Sequence, residues 1–105
     1  MTIKEKQYAL HRINMVQAEI NRYERRIHKL VTDPAYLEKI KASETRNYGH
    51  PLSDDERIDR IEQKEIETCR YRSGMVDLMA LLGFPVEVRI NDVGEQEWDF
   101  VHRQF

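Results

Sequence analysis

The stretch "ETRNYGHPLSDDE", residues 44–56, decides how this chain folds, because it interrupts two long segments of helical periodicity. Gly49 and Pro51 predict a turn here. Ser53 follows as a helix N-cap, and Glu56 three residues later completes the sequence pattern of a capping box. We therefore expect one helix to end inside this stretch and a second to begin directly after Ser53.

The segment before the turn has apolar side chains at alternating spacings of four and three residues, which is the heptad pattern of packed helices. These positions are Ala9, Ile13, Val16, Ile20, Tyr23, Ile27 and Leu30. Asp33 then suits an N-cap and Pro34 the first position of a new helix, and Pro34 disfavours helical geometry at Asp33. The pattern predicts helix over about residues 3–45 with a break near 32–34, and it leaves open whether the break separates two helices or kinks one.

The segment after the turn predicts a helix over residues 54–82, ended by Gly83. Its first half is unusual for a helix that packs on another. Glu65, Thr68 and Arg72 occupy the seam where a core-facing helix carries apolar side chains.

One interpretation of this polar seam is a set of ion pairs with the first helix. A hairpin that turns near residue 49 places Arg72 opposite residues 26–27 and Glu65 near Asp33. The glutamates of the seam region then face a group of cations, and pairs of this kind fix helix register more than they add stability. The glutamates are Glu62, Glu65 and Glu67, and the cations are Arg22, Arg25, Arg26, His28 and Lys29.

Two other interpretations of the seam stay open. In the first, its residues line a polar cavity that takes a partner side chain or a small anion. In the second, the helix turns a different face inward, the one that carries Ile66, Cys69 and Val76.

The last part of the chain alternates with the period of a β-strand. The stretches "VEVRI" and "EWDFVH" lie on either side of the turn sequence "NDVG", which predicts a β-hairpin over about residues 86–90 and 96–102. Trp98 is expected to anchor the apolar face of this hairpin, which includes Val86, Val88, Ile90 and Phe100. The expected docking surface is the end of the last helix, or its copy in a second subunit, where the apolar residues are Leu78, Met79, Leu81 and Leu82.

These elements predict a mainly α protein of the α+β class, a long antiparallel helical hairpin followed by a C-terminal β-hairpin. A chain of 105 residues is expected to form a single domain, with residues 1–83 as the helical hairpin and residues 84–105 as the tail. A two-stranded sheet is marginal in isolation, and each long helix has only one apolar stripe. Both features predict a homo-oligomer, most simply a dimer.

Composition narrows the classes of function. The formal net charge of −2 provides no overall attraction to nucleic acid or to anionic lipid. The longest dense apolar stretch, residues 75–84, contains Asp77 and is too short to cross a membrane. The single Cys69 and the lack of a secretory apolar region predict a cytoplasmic protein.

No residue pattern predicts a cofactor, a metal site or catalysis. Cys69 lies in the middle of a predicted helix, where a small packed side chain is expected rather than a nucleophile. Carboxylates are abundant, but no pair is distinguished by its setting. The histidines are scattered without metal-ligand spacing, at His11, His28, His50 and His102. We therefore expect a protein that is not an enzyme.

Arginine and tyrosine occur together in three stretches, "NRYERR", "TRNYGH" and "CRYRSG". These residue types are enriched in protein interfaces, and they also suit phosphate binding and base stacking. The sequence predicts a module that binds another protein as an adaptor or inhibitor, of the size and build of a phage or mobile-element accessory protein. The alternative is a nucleotide or nucleic-acid binding protein. The expected contact residues are Arg22, Tyr23, Arg25, Arg26, Arg46, Tyr48, Arg70, Tyr71 and Arg72.

Overall fold

The computed structural model describes residues 1–101 and confirms the predicted fold class. Within these residues the chain is 72% helical, with three helices followed by an antiparallel β-hairpin. The elements are α1 (Ile3–Thr32), α2 (Pro34–Tyr48), α3 (Asp54–Leu81), β1 (Val86–Ile90) and β2 (Gln96–Phe100). The predicted second strand reached His102, which lies outside the described residues.

The chain divides into two compact units, and the boundaries between them fall inside α1 and α3. Residues 1–21 and residues 67 onward form the first, which contains the β-hairpin and is called the sheet unit. Residues 22–66 form the second, which contains α2 and is called the loop unit. That the whole chain is one domain, divided near residue 83, stays a prediction. Within the described residues, no helix is long and apolar enough to cross a membrane.

The break before α2 separates two helices. Asp33 has extended backbone angles, with φ −120° and ψ 98°, and its side chain accepts a hydrogen bond from the Tyr36 amide at 3.1 Å. Pro34 occupies the first turn of α2, where its missing N–H leaves no carbonyl unsatisfied. At the other end Gly49 adopts the left-handed conformation, with φ 82°, and donates its amide to the Thr45 carbonyl at 2.9 Å.

The end of α3 is closed by backbone hydrogen bonds that turn the chain into the β-hairpin. Gly83 has a φ of 88° and donates to the Ala80 carbonyl at 3.0 Å, and Phe84 donates to the Met79 carbonyl at 2.9 Å. This pair of bonds is a Schellman motif, which requires the positive φ that glycine adopts without strain. The motif directs the chain into β1, which starts at Val86.

The core of the sheet unit lies where α1, α3 and the hairpin meet. Ile13, Met79, Val86 and Phe100 are buried there, and Trp98 packs against them. Ile13 meets Met79, while Gln17, one turn further along α1, meets Arg72, which precedes Met79 in α3. The two helices therefore run antiparallel in this unit.

The hairpin covers less of α3 than the sequence predicted. Of the four apolar residues expected to receive it, only Met79 is buried, whereas Leu78, Leu81 and Leu82 are 55%, 85% and 47% exposed. A helix turns about 100° per residue, so Leu78 and Leu81 point away from the side that Met79 presents. Within one copy of the chain, the hairpin therefore covers Met79 but leaves the other three residues exposed, and docking on the helix end of a second copy stays a prediction.

Amide side chains of α1 satisfy the outer edge of β2. Asn14 accepts from the Trp98 amide at 2.7 Å and donates to the Trp98 carbonyl at 2.9 Å, as a neighbouring strand would. Two turns further along α1, Asn21 donates to the Gln96 carbonyl at 3.2 Å. A β-strand edge thus pairs with a helix through side chains spaced seven residues apart.

Gln17 lies between these two asparagines and is 1% exposed. Its carbonyl oxygen accepts from the Arg72 guanidinium at 2.7 Å and from the Trp98 indole N–H at 2.8 Å. Its amide nitrogen donates to Asn21 at 3.0 Å. The guanidinium of Arg72 also lies over the Trp98 ring, 5.6 Å from its centroid. The buried amide of Gln17 on α1 is therefore hydrogen-bonded to side chains of both α3 and β2.

These contacts correct the predicted helix register. Arg72 lies opposite Gln17 and not opposite residues 26–27. The prediction treated residues 3–45 as one arm of the hairpin, but α1 ends at Thr32 and α2 does not continue it. Because the prediction let α2 extend α1, it placed the residue opposite Arg72 about three helical turns too far along α1.

A buried ion pair organises the loop unit. Glu44 on α2 and Arg57 on α3 are 6% and 4% exposed, and they are joined by two hydrogen bonds of 2.6 and 2.7 Å. Arg57 also donates to Asp54 and to the Leu52 carbonyl, both at 2.7 Å, while the Leu52 amide donates to Glu44 at 3.1 Å. The pair therefore joins α2, the intervening loop and the first turn of α3. The Arg57 hydrogen bonds hold the pKa of Glu44 below its ordinary value, although burial alone would raise it.

We expect Trp98→Ala to lower the free energy of unfolding by about 3 kcal/mol, because it removes both the packed ring and its bond to Gln17. Trp98→Phe keeps a ring and leaves Arg72 on the Gln17 carbonyl, so its expected cost is about 1 kcal/mol. Urea unfolding followed by circular dichroism measures both. Equal midpoints for the wild type and the alanine variant would show that Trp98 does not anchor the hairpin.

Glu44→Ala leaves the buried Arg57 without its carboxylate and is expected to cost about 3–5 kcal/mol at neutral pH. The folded-state pKa of Glu44 is lowered, so its contribution is present above the ordinary value of 4.5 and is lost as pH falls through the folded-state pKa. The difference between wild type and variant should therefore shrink in acid. The control is Glu38→Ala, which breaks an exposed pair with Lys41 and should change stability by less than about 1 kcal/mol. Similar losses for both variants would contradict the assigned role of Glu44.

Candidate partner-binding surface

The nine predicted contact residues fall in both units. Arg70, Tyr71 and Arg72 belong to the sheet unit, and the other six belong to the loop unit.

An exposed arginine between two exposed tyrosines is the main feature of the sheet-unit surface. Arg12 on α1 lies near Tyr71 on α3 and beside Tyr8, which precedes it by one helical turn. Tyr8 and Tyr71 are 63% and 55% exposed. The interaction with the Tyr71 side chain, and then the proximity of the Tyr8 and Tyr71 hydroxyls, raise the pKa of Arg12. We call Tyr8, Arg12 and Tyr71 the Arg12 cluster.

Exposed apolar side chains accompany the Arg12 cluster on both helices. Met15 follows Tyr8 by seven residues on α1, and Leu78 follows Tyr71 by seven residues on α3. A spacing of seven places two residues on nearly the same side of a helix. Both side chains are more than half exposed. The surface around the Arg12 cluster therefore combines a cation and two phenol rings with exposed apolar side chains on the same two helices.

The sequence prediction found Tyr71 but missed Tyr8 and Arg12. It searched for arginine and tyrosine close together in the chain, but adjacent residues on a helix point about 100° apart. Side chains four residues apart are the ones that face each other. The stretch "YALHR", residues 8–12, contains that spacing and was the available signal.

Arg72 differs from the other predicted contact residues. It is half-buried, and Gln17 and Trp98 engage its guanidinium within the sheet unit. Arg70 is exposed on the same helix. The α3 seam is polar at Arg72 for a structural reason. The Trp98 ring packs on the Arg72 guanidinium, and an apolar residue at position 72 would remove one of the two donors to the Gln17 carbonyl.

The loop unit brings together a different arginine and tyrosine. Tyr48 is exposed, and Arg60 donates to its hydroxyl at 3.1 Å while the guanidinium lies 5.2 Å from the ring centroid. Arg60 also pairs with Glu56 at 3.2 Å. The remaining predicted residues of this unit are exposed, except for the half-buried Tyr23, and they are Arg22, Tyr23, Arg25, Arg26 and Arg46.

Two carboxylates, Glu24 and Glu62, act on the half-buried Glu65, whereas the sequence predicted ion pairs with cations. Burial is the largest cause of its raised pKa, followed by the charge of Glu24, a hydrogen bond with Glu24 and the charge of Glu62. An acidic setting of this kind repels anions, which argues against the predicted anion cavity. The alternative inward face is used only in part: Val76 packs against the core of the sheet unit and Cys69 is half-buried, but Ile66 is 44% exposed.

No metal-ligand cluster of three or more histidine, cysteine or carboxylate side chains occurs within residues 1–101. Cys69 is half-buried and is not in a disulfide. Comparisons of the chain with protein-family models, with curated proteins and with solved structures find no match. The assignment of function therefore depends on the surfaces described above.

We expect Glu65→Gln to stabilise the protein at neutral pH by at most about 1 kcal/mol, because it removes a charge that its neighbours disfavour. The folded-state pKa of Glu65 is raised, so its contribution to stability is complete below the unfolded-state value and is lost as pH rises through the folded-state pKa. The gain from Gln should therefore be present at pH 7 and disappear near pH 4. Urea midpoints at the two pH values test this, with the exposed Glu67→Gln on the same helix as the control. A loss of stability at pH 7 would show that Glu65 is paired with a cation.

Proposed function

We propose that this protein is a non-enzymatic interaction module that binds another protein through the Arg12 cluster. The observation that carries the proposal is an exposed arginine near two exposed tyrosines, with exposed Met15 and Leu78 seven residues along the same helices from Tyr8 and Tyr71. Tyrosine, arginine and methionine are enriched in protein interfaces, and tyrosine and arginine dominate their binding energy. Because the two phenol groups lie close to Arg12, they limit the space open to its side chain, and less side-chain entropy is lost on binding than for an isolated arginine.

The chemistry of the cluster defines the partner. Arg12 favours a carboxylate, the tyrosine hydroxyls favour polar backbone groups, and the apolar side chains favour an apolar patch next to them. Such a partner is an acidic protein surface with an apolar centre, which suits an adaptor or inhibitor. The single cysteine and the size of the chain support a cytoplasmic protein of the phage or mobile-element accessory type, and this remains part of the proposal.

The alternative is a nucleotide or nucleic-acid binding protein. Its support is that an arginine can hold phosphate while exposed tyrosine rings stack on bases. The exposed arginines of the loop unit, Arg22, Arg25 and Arg26, would add phosphate contacts. The net charge of −2 argues against this alternative, since nucleic-acid affinity depends strongly on accumulated positive charge.

Affinity capture from cell lysate tests the proposal. The wild-type chain should retain a protein partner in the presence of nuclease, and the double variant Arg12→Ala with Tyr71→Ala should recover at least about 10-fold less of it. The matched control is Lys39→Ala, which removes an exposed cation of α2. Circular dichroism should show equal helicity for all three proteins.

The outcomes of this capture distinguish the two functions. Equal recovery by wild type and double variant would move the protein contact away from the Arg12 cluster. Recovery that nuclease abolishes, with binding to labelled single-stranded oligonucleotides that weakens steeply with added salt, would favour the nucleic-acid alternative. Loss of that binding in a triple alanine variant of Arg22, Arg25 and Arg26 would place the nucleic-acid contact on the loop unit.

A further inference from the structure

The two edges of the β-hairpin differ in how their backbone groups are used. Trp98 and Gln96 on β2 turn their polar backbone groups away from β1, toward Asn14 and Asn21. Val88 pairs with Trp98 and Ile90 with Gln96 in the register of the sheet. Residues directly opposite each other in an antiparallel pair point their N–H and C=O groups either toward each other or both outward. Val88 and Ile90 therefore point theirs to the outer edge of β1.

This outer edge of β1 is open within the described residues. No hydrogen bond to the Val88 or Ile90 backbone occurs on that side among residues 1–101. The side chains of Val88 and Ile90 are 46% and 66% exposed. Natural proteins protect such edges because they pair readily with another strand.

The sequence of β1, Val86–Ile90, is complementary to itself in the antiparallel direction. If two copies align with Val88 opposite Val88, then Glu87 of each copy lies opposite Arg89 of the other. The same alignment places Val86 opposite Ile90, so apolar residues meet apolar residues. Val88 also carries outward N–H and C=O groups, and two copies therefore exchange hydrogen bonds at the centre of the pairing.

The same alignment covers the exposed half of the apolar sheet face. In each copy the Val86 side chain is buried in the core with α1 and α3, whereas the Ile90 side chain is 66% exposed. A two-fold axis perpendicular to the sheet keeps both apolar faces on the same side and brings the Ile90 end of one copy beside the Val86 end of the other. The exposed Ile90 of each copy then lies against the Val86 end of the other.

We propose that two copies of this chain pair antiparallel along β1, with Val88 at the two-fold axis, and form a continuous four-stranded sheet. This assigns the predicted homodimer to a definite strand edge. It does not involve Tyr8, Arg12 or Tyr71, so it stands or falls separately from the proposed partner binding.

Charge exchange between the two strands tests the pairing. Glu87→Arg places arginines at both charged positions of β1, and Arg89→Glu places glutamates at both, so each variant alone sets like charges opposite each other. The wild type should have a mass near twice 12.6 kDa by light scattering at tens of micromolar. Each single variant should dimerise at least about 10-fold more weakly.

Two combinations should restore the dimer. An equimolar mixture of the two single variants pairs an arginine strand with a glutamate strand, and the double variant with both changes is again complementary to itself. Thermal melts are needed to establish that each protein is folded, because Glu87 and Arg89 also pair with each other within the chain at 3.0 Å, and Arg89 pairs with Asp99 at 3.4 Å. A wild type of 12.6 kDa, or a dimer that neither single variant weakens, would overturn the proposal.

A disulfide at the axis supplies a second measurement that does not depend on charge. In a Cys69→Ser background, Val88→Cys should form a symmetric interchain disulfide under mild oxidation, because the two copies of that position face each other across the axis. The control is Val93→Cys, which is 76% exposed in the hairpin turn and away from the axis. Equal crosslinking of both variants, or none of Val88→Cys, would contradict the alignment.

Discussion

The sheet unit depends on the carbonyl oxygen of one buried side chain, Gln17. A buried amide carbonyl is costly unless it receives hydrogen bonds. Here it receives two, from the Arg72 guanidinium and the Trp98 indole, and these donors come from α3 and β2. Because Gln17 itself is on α1, its hydrogen bonds place the three elements in one arrangement. Apolar contacts at Ile13 and Met79 add stability. These contacts would tolerate a small shift of α1 along α3, whereas the directional hydrogen bonds of Gln17 would not.

The loop unit uses the same strategy with charges. The Arg57 guanidinium donates to the carboxylates of Glu44 and Asp54 and to the Leu52 carbonyl. Glu44 also accepts from the Leu52 amide, in the loop that joins α2 to α3. A buried ion pair of this kind adds little net stability over an apolar replacement, because desolvation offsets the attraction. Its effect is to define which loop geometry is folded, since any other leaves buried polar atoms without partners. Within the described residues no buried side-chain nitrogen or oxygen lacks a partner.

The sequence could predict features that depend on residues close together in the chain, but not contacts between residues far apart in it. The helix ends at Asp33 and Gly83 and the hairpin turn after Ile90 depend on residues close together in the chain, and they were predicted correctly. The partner of Arg72 depends on where α1 stops and how α2 departs from it, which no local pattern contains. The Arg12 cluster was found only in part. Tyr71 was predicted, but Tyr8 and Arg12 were missed because the prediction relied on neighbouring positions in the chain and not on the four-residue spacing that makes side chains of one helix face each other. The Arg57–Glu44 pair joins two helices across a turn, and its residues look like ordinary surface charges in the sequence.

The distribution of polar groups also determines what is left for binding. Arg57 and Arg72, with Asn14 and Gln17, are occupied inside their own units. Arg12 instead has tyrosine partners that are themselves exposed. A contact between exposed polar groups adds little to folding, because water competes for both partners. Nearby side chains do limit the directions in which the cation can point, and this limit lowers the entropy lost when a partner binds. The exposure that makes the Arg12 cluster weak as a structural contact therefore suits it to the partner binding that we propose.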